Sequence, residues 1–130
     1  MELIREINDN WQITNYHDTC KYLDEFKNED REFFIVLGLD SQNKVLYRDI
    51  TSIGTLNSSL VHPREVFKTA CMRSANSIII AHNHPSGSLE PSQNDIDVFK
   101  RLKKAGEILD IKIVDTLIIS KDGLKSFKDT

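Results

Sequence analysis

Ser77-Ile-Ile-Ile-Ala-His82-Asn-His84-Pro-Ser-Gly-Ser-Leu-Glu-Pro-Ser92-Gln-Asn-Asp95 is the stretch on which the reading of this chain turns. Ile78 to Ala81 run on without the alternation of a half-solvated strand, which predicts a central strand buried on both faces of a sheet. Pro85, Gly87 and Pro91 then reverse the chain. From Gln93 to Leu109, Val98, Phe99, Leu102, Ala105, Gly106 and Leu109 recur at helical spacing and predict an amphipathic helix.

Working outward, Ile111–Ser120 alternates and ends at the turn Lys121-Asp-Gly123, so it reads as a further strand. Upstream, Pro63 and Glu65 are helix-start residues, and the helix to Ser74 places Val66, Phe67, Ala70 and Cys71 on one face. A Gly/Ser/Asn connection at 54–59 precedes it. Glu32–Leu39 and Val45–Ile50 flank the turn residues Asp40-Ser-Gln-Asn43 and predict a β-hairpin. Cys20, Tyr22, Leu23 and Phe26 predict a short helix from Asp18, its N-cap, to Asn28. Residues 1–16, with Trp11, show neither period and read as an extended or partly ordered lead-in. The order predicts an α/β fold: one mixed β-sheet flanked by helices, in a single domain over residues 17–130.

Composition sets limits on function. A chain of 130 residues buries one core rather than two, and its 39% apolar and 28% charged residues exclude a disordered tract or a coiled-coil rod. The net charge of −3 supplies no overall basic field for a polyanion. Cys20 and Cys71 lie far apart without a CxxC pair, which excludes a disulfide scaffold and a thiolate zinc ribbon and suits a reducing, cytoplasmic setting. The longest apolar run is far too short to span a bilayer, and the polar start lacks a signal-peptide core, so no membrane partner is expected.

The chemistry lies in the opening stretch. One residue apart at a strand end, His82 and His84 project their imidazoles to the same side. Asp95, four residues before Phe99, falls on the packed face of the following helix. Two imidazoles, one carboxylate and a water make an open zinc site of the catalytic type. The plainer reading of the histidines is a structural pair, and Ser92-x-x-Asp95 is equally a helix-start cap. That cap alone leaves an inward aspartate without a partner, and the convergence of all three groups favours the metal. Ser92 can cap the helix and still aim its hydroxyl at the site.

These residues resemble the JAMM motif of MPN-fold metalloproteases, with Asn83 where the eukaryotic members carry Ser or Thr. The chain is more closely similar to the bacterial RadC family of JAB domains, through Gly54-Thr-Leu-Asn-Ser-Ser-Leu-Val-His-Pro-Arg-Glu-Val-Phe67 and Ile80-Ala-His-Asn-His-Pro-Ser-Gly87, over roughly residues 30–120. The resemblance implies the MPN (JAB, cytidine-deaminase-like) fold, with Zn2+ on His82, His84 and Asp95, Ser92 steadying an oxyanion and an upstream glutamate as general base. Glu32, ahead of the apolar run Phe33–Leu39, matches that glutamate better than Glu65, which a helix N-terminus explains. The activity implied is hydrolysis of amide or isopeptide bonds in a protein or peptide substrate.

Two departures from the family's pattern stand out. Asp115-Thr116 occupies the place of a usual Asp-His, and nothing before Glu32 resembles the helix-hairpin-helix region of full-length members. A DNA-repair role, as nuclease or accessory factor, therefore rests on family association alone. The basic residues Lys100, Arg101, Lys103 and Lys104 read as a solvated helix face. A zinc deaminase would need H-x-E and P-C-x-x-C, which are absent. A non-catalytic domain stabilised by metal is the remaining alternative. Among other residues, His62 reads as a helix-entry residue, His17 as exposed, and both cysteines as core thiols. The oligomeric state is not legible.

Overall fold

In the computed structural model, which describes residues 3–54 and 61–127, six strands form one sheet in the order β1-β3-β2-β4-β5-β6. They are β1 (Ile4–Glu6), β2 (Phe33–Leu39), β3 (Val45–Ile53), β4 (Ser77–Asn83), β5 (Lys112–Ser120) and β6 (Gly123–Ser126). β4 and β5 are parallel, joined through the helix α3 (Gln93–Leu109), and every other neighbouring pair is antiparallel. The predicted mixed sheet is thus present in a single small domain. Every residue of β4 is buried, as its uninterrupted apolar run requires.

The pleat of β4 divides the core. Ile78 and Ile80 pack with Phe34, Val36 and Ile118 under α2 (Pro63–Met72) and α3, against Val66, Phe67, Ala70, Val98, Phe99 and Leu102. Ile79 and Ala81 face the other way with Phe33, Ile35, Leu37 and Leu117, covered by Ile13, Tyr22, Leu23 and Phe26. Both long helices therefore lie on one face, and the segment before β2 covers the other. Gly38 of β2 is required by a close approach, since a Cβ there would stand 2.0 Å from the Tyr47 ring.

Several expectations need correction. The lead-in is extended, yet it pairs β1 with β3 at the sheet edge, and it delivers Ile13 to the core while leaving Trp11 46% exposed. The predicted helix from Asp18 to Asn28 is broken into a 3-10 turn (Tyr16–Thr19), α1 (Cys20–Leu23) and a second 3-10 turn (Asp24–Phe26). Its N-cap is Asn15, whose side chain accepts from the His17 amide, and Asp18 is the third residue of the resulting capping box. Neither cysteine is a core thiol, for Cys20 is half-buried and Cys71 exposed. Leu109 is 49% exposed, because the sheet-facing stripe of α3 ends at Gly106. Residues 55–60, part of the RadC-like string and of the expected 54–59 connection, lie outside the described residues.

Candidate metal centre

The site is built where β4 ends and α3 begins. His82 is the penultimate residue of β4 and His84 follows the strand, its amide donating to the Ile119 carbonyl of β5 at 2.8 Å. Because Asn83 occupies the intervening pleat, both imidazoles stand on the α3 face, with ring centroids 5.1 Å apart. Asp95 is brought over them by the start of α3. The Asp95 amide donates to Ser92 Oγ at 3.1 Å, and the Ser92 amide donates to Asp95 Oδ2 at 2.8 Å, forming a reciprocal capping box. The cap and the inward aspartate are one structure rather than competing readings.

Asp95 is fully buried and accepts from His82 Nδ1 at 2.6 Å and from His84 Nε2 at 2.9 Å. Burial alone would raise its carboxyl, but the hydrogen bonds from His82 and His84, the charge of His82 and the Ser92 amide hold it well below the usual carboxylate range. His84 is raised in turn by its hydrogen bond to Asp95, against the opposing effect of burial. Its Nδ1 donates to the Ser88 carbonyl at 2.9 Å, which fixes the ring with Nε2 toward Asp95, and Nε2 would take a metal on giving up the proton it shares there.

These three residues could hold a metal ion, since their donor atoms all lie within 4.8 Å of one another. The fit has a second support: His82 Nε2 is buried without a hydrogen-bond partner among the described residues. A nitrogen lone pair or N–H so placed costs free energy unless something meets it. Glu32 Oε1 lies 4.0 Å from that atom.

Glu32 arrives through strand register. β2 pairs β4 from Phe34 opposite His82, which leaves Glu32 beyond the paired strand, at the histidine end. Glu32, His84 and Ser92 line one open cleft of about 430 Å³, together with Pro85, Ser86, Ser88 and Glu90. Ser92 is exposed and lines this cleft while its Oγ caps α3. Glu65 is not among the lining residues. It sits exposed in the first turn of α2, beside Arg64 at 3.6 Å. Thr116 does not reach the cluster either, being paired with Ile80 two positions below His82. His62 occupies the N-cap position of α2 without a side-chain cap, and Lys100, Arg101, Lys103 and Lys104 are exposed.

The sequence reading passes over Asn83. It is 1% exposed on the face opposite the imidazoles, where its Oδ1 accepts from the Phe33 amide at 2.5 Å. Its Nδ2 donates to the Arg31 carbonyl at 2.9 Å and to the Phe26 carbonyl at 3.1 Å. Strand alternation was the available signal: a polar residue between two same-side imidazoles must bury its amide on the other side.

A mixed sheet with flanking helices and a His-x-His pair facing a helix-capping aspartate is the architecture of a JAB/MPN domain. The chain belongs to the RadC family: the model of the RadC-like JAB domain matches residues 13–130. It is 53% identical to a UPF0758 protein of Moorella thermoacetica over 82% of this chain and 47% of that protein. It is 51% identical to a UPF0758 protein of Desulforamulus reducens, over 85% of this chain and 49% of the relative. A UPF0758 protein of Geobacillus thermodenitrificans is 45% identical over 94% of this chain and 54% of its own length. The chain spans about half the length of these curated relatives. No helix among the described residues is long and apolar enough to cross a membrane.

Proposed function

We propose that this domain is a zinc-dependent hydrolase that cleaves amide or isopeptide bonds in a protein or peptide substrate. The observation that carries the reading is the placement of Glu32 at the orphaned Nε2 of His82, in the same cleft as His84 and Ser92. When bound to His82, His84 and Asp95, zinc supplies Lewis-acid polarisation of the scissile carbonyl and makes water a stronger acid. Glu32 takes the proton of the attacking water on its carboxylate and passes it to the departing amine. The Ser92 hydroxyl donates to the oxyanion while its oxygen continues to accept from the Asp95 amide.

The lining of the cleft supports an amide over a phosphodiester. Glu32 and Glu90 bring carboxylates to it, and no lysine or arginine is among its described lining residues. A polyanion entering there would meet the carboxylate of Glu32, while that of Glu90 is already paired with Lys125 at 2.8 Å. Nucleic-acid contact thus retains only the family association. The two unpaired cysteines support a reducing, cytoplasmic setting.

The test is Glu32→Gln on zinc-loaded protein with peptide and isopeptide substrates. Zinc content and thermal midpoint should stay at wild-type values while turnover falls roughly a hundred- to ten-thousand-fold. A second reading, a non-catalytic interaction domain stabilised by its metal, draws on the fact that Asp95 already ties one nitrogen of each ring into the fold. It takes precedence if metal-loaded wild type cleaves no such bond; a Glu32→Gln variant as active as wild type would instead remove Glu32 as the base.

A further inference from the structure

We infer that Asn83 is a positioning residue, whose buried carboxamide grips the backbone on both sides of Glu32 and sets that glutamate against the imidazole site. The two contacts that matter are immediate neighbours of Glu32 in the chain: Nδ2 donates to the Arg31 carbonyl and Oδ1 accepts from the Phe33 amide. A third bond, to the Phe26 carbonyl, ties the turn before β2 to the same side chain. Glu32 is held from the opposite edge by its own carbonyl, which accepts from the Gly54 amide at 2.8 Å.

The need for such a clamp follows from the ladder. Inter-strand pairing between β2 and β4 stops at Phe34 and His82, so the chain carrying Glu32 has left the sheet on the β4 side. The Phe33 amide is buried there and the Arg31 carbonyl bond partly so, and both groups take partners outside the ladder. A carboxamide is the one uncharged side chain with an acceptor and two donors in a plane, which is the set these carbonyls and amide require. Aspartate would lack the donors, and an apolar residue would take this partner from the Phe33 amide and the Arg31 carbonyl, the Phe26 carbonyl keeping the Glu29 amide at 3.4 Å. The Asn83 side chain bonds to Phe33, Arg31 and Phe26, and among the described residues to none of the three candidate ligands His82, His84 and Asp95. It reaches the site through Glu32, while the strand that carries it presents His82 and His84 to the opposite face.

The kinetic arm of the test rests on the hydrolase reading; the other two arms do not. In the 130-residue chain, Asn83→Ala should lower amide-exchange protection at Phe33 by at least about tenfold, with Ile79 and Ile80 unchanged. Zinc affinity, measured by competition against a chromophoric chelator, should stay within about threefold of wild type. The nitrogen resonances of the His82 ring should move as they do in Glu32→Gln, because both substitutions remove the same carboxylate from Nε2. Where a substrate is turned over, Asn83→Ala should lower kcat at least about tenfold with little change in KM, and should add nothing in a Glu32→Gln background. Asn83→Ser, which keeps a hydroxyl donor and acceptor, serves as the second variant if the alanine form does not fold, with the same pattern expected at smaller amplitude.

Loss of zinc in parallel with His84→Ala would overturn the inference, since Asn83 would then be placing the histidines. So would His82 resonances unlike those of Glu32→Gln, or a multiplicative loss in the double variant. If wild type hydrolyses nothing, the hydrolase reading fails, while the exchange and His82 resonances still decide the role of Asn83.

Discussion

Two buried aspartates in this fold meet opposite electrostatic fates. Asp95, at the start of α3, and Asp49, midway along β3, are 0% and 6% exposed. Asp95 collects two imidazoles and a backbone amide, which hold its carboxyl low against the cost of burial. At Asp49, burial raises the carboxyl, and the Thr69 hydroxyl offsets this only in part. Burial depth alone therefore does not identify a site. The convergence of donors around a carboxylate does, because it keeps the charged form that a cation needs.

The largest expected effect falls on Asp95. Asp95→Asn should abolish stoichiometric zinc and lower unfolding free energy by about 3–5 kcal/mol, the usual cost of breaking a buried charge pair. Elemental analysis and denaturant titration check this, and retained zinc with wild-type stability would erase the contrast between the two sites. His84→Ala should also lose the metal by elemental analysis, with a smaller loss of stability, because Asp95 keeps His82 and the Ser92 amide.

Asp49→Asn should act in the opposite direction. A carboxyl raised above its ordinary value costs stability once pH rises past that value and the group must ionise in the folded chain. Below about pH 4 the wild-type acid is protonated in both states and carries no such cost. The asparagine variant should accordingly gain roughly 1 kcal/mol at pH 7, the scale of a typical single substitution. That gain should fade as pH falls toward 4, as followed by thermal melts across the range. A destabilised variant would mean that Asp49 has a partner worth more than its burial costs.

The smallest effect belongs to Glu65. Its side chain is 57% exposed beside Arg64, so Glu65→Gln should change stability by no more than about 1 kcal/mol and leave zinc and turnover unaltered. Lost turnover in this variant, with Glu32→Gln active, would move the proposed base to α2.

How much of this was legible in the sequence depended on the range of the interaction. β4 and α3 were readable because a continuous apolar run and a capping box are local signals, and the bounds Gln93 and Leu109 match. The grouping of His82, His84 and Asp95 was likewise readable from strand parity and helix spacing. Partners set by register were harder. The placement of Glu32 beside His82 depends on where β2 meets β4, and the lead-in becomes a strand only because β3 offers an open edge. Asp18 was misread as a cap because Asn15 and Asp18 are both good capping residues, and the hydrogen bonds to Thr14 and Asn15 decide between them. Cys71 follows the helical period of its neighbours but faces outward, since α2 rests on the sheet along the narrower line of Val66, Phe67 and Ala70.

The crossover from β4 into α3 also bears on how the site assembles in time. His82 and Asp95 are separated by 13 residues of chain, whereas the Phe33 amide reaches Asn83 across 50. Closing the longer loop costs about 1.2 kcal/mol more in chain entropy. The strand end and the helix start can therefore meet early in folding, and a divalent ion present at that stage would reward their contact before β2 docks. Zinc in the refolding buffer should accelerate formation of the β4–α3 unit, with Glu32 arriving last at a chelate already made.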